Sequence, residues 1–500
     1  MFIGIDLGTS SVKAVLIDRT GSVRVSASTA LTLSHPQPRW SEQDPAAWWQ
    51  ATLDSVDALL ADANKQGIAA SDIAGIGLSG QMHGATLLDA DDDVLRPAIL
   101  WNDGRCDIEC AELELVPNFR AITGNLAMPG FTAPKLLWVR KHEPDVFARI
   151  AKVLLPKDYL RLKLTGEYAT DMSDAAGTLW LDVAKREWSD AMLHACGLDR
   201  SQMPSLYEGN QVTGQLRGAL AERWSMTRVP VAAGGGDNAA GAVGVGIVKP
   251  GQAMLSLGTS GVFFAVSDGF LARPEQAVHS FCHALPDTWH LMSVMLNAAS
   301  CLDFTARLVA YDSVPALLAD AEASNGIRAD SPLFLPYLSG ERTPHNDSHA
   351  RGAFVGLGSN TRRADLANAT LEGVGFGLLD GLMAVEAAGL KSADITVIGG
   401  GSRSAYWIQM LADILDKPLQ QRVGGDVGPA LGAARLAHLA VEKGATLDDV
   451  CPAPELLASF IPVASRRAFY REQRYPLFLK LYPQLQPIFT GADIGTDSVN

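Results

Sequence analysis

An apolar run over residues 2–5 ends in a carboxylate at Asp6, and Gly8-Thr9-Ser10 then turns the chain into a second apolar run over 12–17. This pattern predicts a hairpin whose tip presents bare backbone N–H groups and two hydroxyls beside one negative charge. N–H nests bind phosphate oxygens, and a carboxylate can hold Mg²⁺ through the waters which that ion retains. Thr9, Ser11 and Lys13 share parity along the strand, which turns Lys13 toward the same anion. Gly-Thr-Ser also makes ordinary hairpin turns, so the stretch by itself leaves both readings open.

The tip recurs. Leu257-Gly258-Thr259-Ser260-Gly261-Val262 repeats Leu7-Gly8-Thr9-Ser10-Ser11-Val12 half of the 500-residue chain later. One copy per half indicates a duplicated domain, with two phosphate hairpins facing each other across a cleft. Asp6 precedes the first copy and Ser256 the second. A symmetric structural repeat has no reason to differ there, whereas a site with one metal carboxylate does.

The chain around these hairpins is long enough for two or three full cores, at 47% apolar residues. Fifty-five acidic against 41 basic residues, a net charge of −14, disfavour nucleic acid or an anionic membrane as the main partner. Six cysteines without a dense framework fit a reducing cytoplasm. No signal peptide is expected, since Met1 runs directly into the first strand. Residues 229–248 are apolar enough to suggest a membrane span, but Asp237, Asn238 and six glycines reject it.

The positioning elements follow from pattern. Residues 23–28 are expected as a third strand, and Asp44 and Pro45 start an amphipathic helix that runs to about Gly67. A buried strand over 73–78 ends at the polar break Ser79-Gly80-Gln81-Met82-His83-Gly84. Ligands sit beyond the carboxyl ends of strands in open α/β sheets, which makes the break a pocket candidate. A glycine-rich turn with Met82 as core filler is the plainer reading. Trp101-Asn102-Asp103-Gly104-Arg105 follows Ile99 and Leu100 in the same manner. Its ring, amide, carboxylate and guanidinium suit a polyhydroxylated ligand, although Asp103 and Arg105 also read as a surface pair. Cys106 and Cys110 lie one helical turn apart with no second ligand pair near them, which disfavours zinc. Helices are expected over 132–141 and 157–164, and 170–178 reads as a polar capping loop.

The apolar run 229–233 leads into Gly234-Gly235-Gly236-Asp237-Asn238, where glycines permit close backbone approach and place one carboxylate at a strand end. A helix cap explains Asp237 but not why the turn falls just before the second hairpin. The halves are expected to meet near 245–252, giving domains 1–248 and 249–500. His279, Cys282, His283 and His290 look like a metal cluster, but the strand expected over 289–295 carries His290 away. The charges of Ser339-Gly340-Glu341-Arg342-Thr343-Pro344 suffice for each other. A strand over 395–398 runs into Gly399-Gly400-Gly401-Ser402 and a helix from Ser404, a turn on which a flat purine or a phosphate can lie. Gly424-Gly425-Asp426-Val427-Gly428 opens an Ala-rich helix over 429–440, and the tail from Ala453 is expected to pack as helices.

Two phosphate hairpins, a triple-glycine Asp turn and a triple-glycine Ser turn are jointly specific. They resemble the sugar kinases of the FGGY family, within the actin/sugar kinase/Hsp70-like ATPase superfamily. The stretch from Gly130-Phe131-Thr132 to Arg140-Lys141-His142 resembles one family signature. Gly352-Ala353-Phe354-Val355-Gly356-Leu357, continued by Asp365-Leu366 and Ala369-Thr370-Leu371-Glu372, resembles another. The resemblance spans essentially the whole chain. It implies an α/β fold of two ribonuclease H-like ATPase domains facing across a central cleft, with ATP and Mg²⁺ as cofactors and a small sugar as substrate. It allows a homodimer.

Residue by residue, the resemblance implies Asp237 as general base, with Asn238 beside it on the substrate. Met82 and His83 then contact the sugar, and Asp103 belongs to the same wall. Asp6 is implied as the Mg²⁺ carboxylate, with Gly8, Thr9 and Lys13 on the transferred phosphate. Gly258 and Thr259 are implied on the second phosphate loop, and Gly400, Gly401 and Ser402 on the adenosine side. The Gln81–Gly84, Trp101–Arg105 and Ser339–Pro344 motifs are most similar to members acting on D-xylulose, which implies ATP-dependent phosphorylation of its 5-hydroxyl. The wall of Met82, His83, Trp101, Asp103, Asp237 and Asn238 holds no cluster of basic residues, so a sugar acid such as gluconate lacks a counter-charge. A kinase for another ketose or polyol is the nearer alternative. An Hsp70-like chaperone or a sugar-sensing regulator is the more distant one.

Overall fold

The computed structural model describes residues 1–324, 326–423 and 428–490. Each half builds a seven-stranded mixed sheet. The first runs, in spatial order, Val212–Gln215, Pro230–Ala232, Gly75–Gly80, Phe2–Leu7, Ser11–Ile17 and Val23–Ala30, with Gly235–Gly236 also paired to Gly75–Gly80. The second runs Leu456–Phe460, Leu419–Arg422, Asp394–Ile398, Gln252–Leu257, Gly261–Ser267, Trp289–Met295 and His279–Cys282. Superposed on the hairpins, the two sheets share one pairing scheme. A third strand joins the hairpin antiparallel on one side. Two parallel strands and an antiparallel outer strand follow on the other. The outer strand differs in chain order: it precedes its neighbour in the first half and follows it in the second. The duplication legible in six residues thus extends to whole sheets.

Alternation along the first strand supplies two faces. Ile3, Ile5 and Leu7 share a core with Trp48, Val56 and Leu59 of the helix Pro45–Lys65. That helix starts as its sequence predicts: the Asp44 carboxylate accepts the Ala46 N–H at 2.9 Å, and Pro45 fills the first position. On the opposite face, Phe2 packs with Ala430, Ala434 and Ala437 of the helix Gly428–Val441. Only glycine admits so close an approach. A β-carbon on Gly4 would lie 1.9 Å from the Ala430 carbonyl oxygen, and one on Gly77 equally near that of Ala433. The same helix crosses Asp237–Gly244, with Gly432 against the Ala240 carbonyl. A helix late in the sequence therefore lies on the first sheet and braces the helix that begins with Asp237.

Two expectations change. The tail is not all helix: Leu456–Phe460 pairs with Leu419–Arg422 and covers what would be an open sheet edge. Helical turns follow from Ala464–Ala468 to Leu481–Thr490, and Tyr470, Tyr475, Phe478 and Leu481 enter the second core. Arg474 anchors them through the buried Glu372 carboxylate at 2.7 and 2.9 Å. His290, in turn, is not carried away. Its strand pairs antiparallel with His279–Cys282, which brings its ring centre to 5.9 Å from that of His283. Part of the glycine turn expected before the last long helix, Gly424 to Val427, lies outside the described residues.

Candidate active site

Asp6 is the penultimate residue of its strand, and register places Lys13 opposite it and Ser79 beside it. Desolvation and the nearby Asp237 charge push the Asp6 carboxyl up to about 7, against the pull of Ser79 and Lys13. Its Oδ1 is buried without a protein hydrogen-bond partner among the described residues. An unmatched buried carboxylate oxygen is costly, and a cation at that position removes the cost. These residues fit Mg²⁺, which prefers oxygen ligands and keeps its waters. At the tip, the Gly8 N–H closes the turn on the Ser11 carbonyl at 3.0 Å. The Thr9 hydroxyl donates to Gln81 Oε1 at 3.1 Å and accepts from the Trp101 indole N–H at 2.9 Å. Gln43 donates to the Thr9 carbonyl at 2.8 Å.

The triple-glycine turn is built for contact with the first sheet. Gly234 has φ +79°, and a β-carbon there would lie 1.8 Å from the Leu78 carbonyl oxygen. Gly235 and Gly236 then pair with Ser79 and Gly80, and Asp237 enters the first turn of its helix, with Gly236 as the cap. One Asp237 oxygen accepts from the Asn238 N–H at 2.7 Å and from its side-chain amide at 2.8 Å. Desolvation pushes the Asp237 carboxyl up to about 6, and the two Asn238 donors hold it below what burial would produce. A buried network fixes the turn from behind. The Gly236 N–H donates to the Ser173 hydroxyl at 3.1 Å, Ser173 donates to Asp171, and Asp171 lies 2.8 Å from the Lys157 ammonium. Arg161 donates to the carbonyls of Ala232, at 2.8 Å, and Ala233.

Asp237 and Asn238 open onto a cavity of about 240 Å³ between the halves. Met82, His83, Trp101 and Phe131 come from the first half, and Ser260, His279, Phe281 and Arg342 from the second. His83 sits at φ +70°, a strained conformation for a residue with a β-carbon and a common mark of a functional position. Its Nδ1 lies 2.8 Å from the Gly177 carbonyl and therefore carries the proton. Desolvation, with the Lys135 charge, pushes the ring down to about 3. The imidazole is neutral, and Nε2 holds a lone pair.

Asp103 does not line the cavity. Its carboxylate is buried behind the wall and accepts from the Ser41 N–H at 2.6 Å and from the Arg105 guanidinium at 2.6 and 2.9 Å. Arg105 in turn stacks 3.7 Å from the Trp40 ring centre. The pair is neither on the surface nor in the cavity. Of the glycines expected on the adenosine side, a β-carbon on Gly401 would meet Trp407 at 2.6 Å, so this glycine serves packing, while Gly400 faces open space. The Ser402 hydroxyl donates to the Gly399 carbonyl at 2.7 Å. Phe131, His279, Phe281 and Arg342 join the cavity unannounced by the sequence reading. Arg342 reaches the cavity because its neighbour Glu341 is committed elsewhere. Glu341 accepts from the backbone N–H groups of Leu296 and Arg342, at 2.9 and 2.7 Å, and leaves the guanidinium to the cavity. The cavity does contain a cation, so charge no longer disfavours a sugar acid.

Known proteins bear on this geometry. The N-terminal domain of the FGGY family of carbohydrate kinases matches residues 1–244, and its C-terminal domain matches 253–441. A xylulose kinase of Escherichia coli (strain K12) is 60% identical over 98% of this chain and 100% of its own length. A xylulose kinase of Klebsiella pneumoniae is 57% identical over 98% and 100%. The crystal structure of a xyloylose kinase from Brucella ovis superposes with a TM-score of 0.92 at 51% identity, covering 97% of this chain and 99% of that one. Two matched domains, in order and nearly end to end, leave one assignment: this chain belongs to the FGGY family of carbohydrate kinases.

Proposed function

We propose that this chain transfers the γ-phosphoryl group of ATP to the 5-hydroxyl of D-xylulose, with Asp237 as general base. The observation that carries this reading is a single carboxylate, oriented by Asn238 and raised to about 6, opening onto a cavity walled by both halves. Relatives at 60% and 57% identity bear the name xylulose kinase. A primary hydroxyl is a weak nucleophile, and an ionised carboxylate in reach orients it and takes its proton as the bond to phosphorus forms. With its value near 6, Asp237 is mostly ionised at neutral pH yet remains basic enough to accept that proton.

The remaining rate must come from positioning and charge neutralisation. The Thr9 hydroxyl is engaged by protein and the Gly8 N–H closes the turn on Ser11, so Gly8 shapes the loop that presents the Thr9 N–H to the transferred phosphate, with Lys13 as their cation. Gly258 and Thr259 face the other phosphates, and Gly400 with Ser402 the adenosine. Asp6 would hold Mg²⁺, whose charge stabilises the phosphate oxygens. Asp103 acts through Arg105 and Ser41 as a positioning residue of the wall. We divide the chain at 248/249, with Gly428–Val441 returning to the first half, and place the protein in the cytoplasm, where its six buried free cysteines stay reduced. Among the described residues, no helix is long and apolar enough to cross a membrane.

Sugar-dependent ADP release tests this reading on D-xylulose, L-xylulose, D-ribulose, L-ribulose, glycerol and gluconate. D-xylulose should lead in kcat/KM by at least about tenfold, the size of one lost hydrogen bond. A lead by glycerol or gluconate would overturn the pocket assignment, and a lead by another ketose would change the substrate's name.

A further inference from the structure

Besides the Ser260 hydroxyl, which can both donate and accept, the second half contributes His279 and Arg342 to the sugar cavity, and the hydrogen-bonding capacities of these two are opposite. Arg342 has no hydrogen-bond acceptor or ion-pair partner for its guanidinium among the described residues, although it lines the cavity. A guanidinium carries five N–H donors and no acceptor. His279 is the reverse case. Its Nδ1 lies 3.1 Å from Asn125 Oδ1, and the Asn125 amide nitrogen donates to the carbonyls of Thr123 and Ser280 at 2.8 and 2.9 Å. The amide oxygen therefore accepts, and His279 Nδ1 carries the proton. Desolvation and the Arg342 charge keep the ring neutral, which leaves Nε2 as an acceptor, as in His83.

The cavity is thus lopsided. His83, His279 and Asp237 accept. The Trp101 indole N–H is engaged by Thr9 and one of the two Asn238 amide hydrogens by Asp237, so Arg342 supplies the charged donors, beside the second Asn238 hydrogen and the Ser260 hydroxyl. A 2-ketose matches this division, because each hydroxyl brings a hydrogen to donate whereas the carbonyl can only accept. We propose that Arg342 donates to the keto oxygen of the sugar while His83 and His279 accept from its hydroxyls, so that the second half of the chain selects ketose over polyol. The inference rests on the ketose reading above and adds the group that reads the carbonyl. Reduction of the carbonyl replaces an oxygen that only accepts by a hydroxyl, which can still accept from Arg342 but needs a further acceptor for its own hydrogen, and the guanidinium offers none. His83 and Arg342 stand in different halves, so a bound ketose also ties the halves together.

The test compares D-xylulose with its reduced alcohol, xylitol, in the wild-type protein and in Arg342→Met, Arg342→Lys and His279→Phe, with KM for ATP and melting temperature recorded alongside. Wild type should prefer the ketose by roughly 10- to 100-fold, the range of a charge-assisted hydrogen bond. Arg342→Met should lose most of that preference through kcat/KM for the ketose, with KM for ATP unchanged. Arg342→Lys, which keeps a cationic donor, should retain part of it. His279→Phe should lower kcat/KM for both sugars together. An equal loss on both sugars in Arg342→Met would reduce Arg342 to a structural role and overturn the proposal. So would an unchanged ratio in both Arg342 variants. Failure of the substrate reading looks different: wild type would favour another ketose, and the same ratio would then be read on that ketose and its own alcohol.

Discussion

The two hairpins start from the same letters and fold into different devices. In the first, Gly8 N–H closes on the Ser11 carbonyl and Leu7 faces Val12. In the second, Gly258 N–H closes on the Ser260 carbonyl, one residue earlier, and Leu257 faces Gly261. The divergent position is Ser11 against Gly261. A β-carbon on Gly261 would lie 2.7 Å from Leu378 of the helix Arg363–Ala387 and 3.1 Å from Ala298, so glycine admits that helix and tightens the turn. A shift of one residue changes every cross-strand partner. Asp6 therefore faces Lys13, while Ser256 faces Val262. The braces differ as well. Side chains of Gln43, Gln81 and Trp101 hold Thr9, whereas the Ala298 and Ala299 N–H groups hold Thr259 and Gly258 at 2.9 Å. Duplication preserved two Gly-Thr-Ser loops, and divergence put both carboxylates proposed for the chemistry, Asp6 and Asp237, on one side.

Removing charge from the first half should cost most. Asp237→Asn keeps size and most hydrogen bonds but cannot take a proton, so phosphorylation should fall by about 10²-fold or more. Titration with a non-hydrolysable ATP analogue should show nucleotide binding intact. Activity within a few-fold of wild type would remove Asp237 from its role. The braces come next. Trp101→Phe removes the indole N–H that holds Thr9 and should lower kcat by about tenfold, one good hydrogen bond in a positioned site. Ser300→Ala removes the hydroxyl that donates to the Thr259 carbonyl at 2.8 Å, but two backbone N–H groups remain there. Its effect should be about twofold. The reverse order in single-turnover kinetics would break the contrast between side-chain and backbone bracing.

The smallest effect concerns pH. Asp237 and Asp6 have folded values of about 6 and about 7, above the ordinary 3.8. Folding favours their protonated forms, so this contribution to stability is present below pH 4 and lost as pH rises through 6 to 7. Activity has the opposite sign: kcat/KM should rise through that window as the base ionises. Asp237→Asn should therefore melt about 2–4 °C above wild type at pH 8, with the gain shrinking toward zero at pH 4. Ser256→Ala should show no such dependence. A gain for Asp237→Asn that stayed constant with pH would contradict the burial assigned to its carboxyl.

Motifs made of consecutive residues were legible from the sequence, and contacts between distant segments were not. The hairpins, the Asp44 cap and the triple-glycine turn encode local geometry, so their residue types announced them. The Arg342 loop was legible as charged, but its orientation depends on Leu296, 45 residues away in sequence, whose N–H shares the Glu341 carboxylate. His279 drew notice only beside other histidines. Its function-bearing tautomer depends on Asn125, more than 150 positions earlier. Asp103 read as a sugar contact because a carboxylate near Trp101 suits one, yet Arg105 folds back onto it and claims both oxygens. The one-residue difference between hairpins was invisible because six-residue similarity hides the packing demand at Gly261.

The central claim is that the first hairpin owns the cation. A magnesium titration of turnover in Asp6→Ala and Ser256→Ala tests it most directly. Asp6→Ala should lose at least about 10²-fold in turnover and need more Mg²⁺ to reach half its maximum. Ser256→Ala should stay within a few-fold of wild type at an unchanged midpoint. Equal losses and equal midpoints in the two variants would contradict the claim.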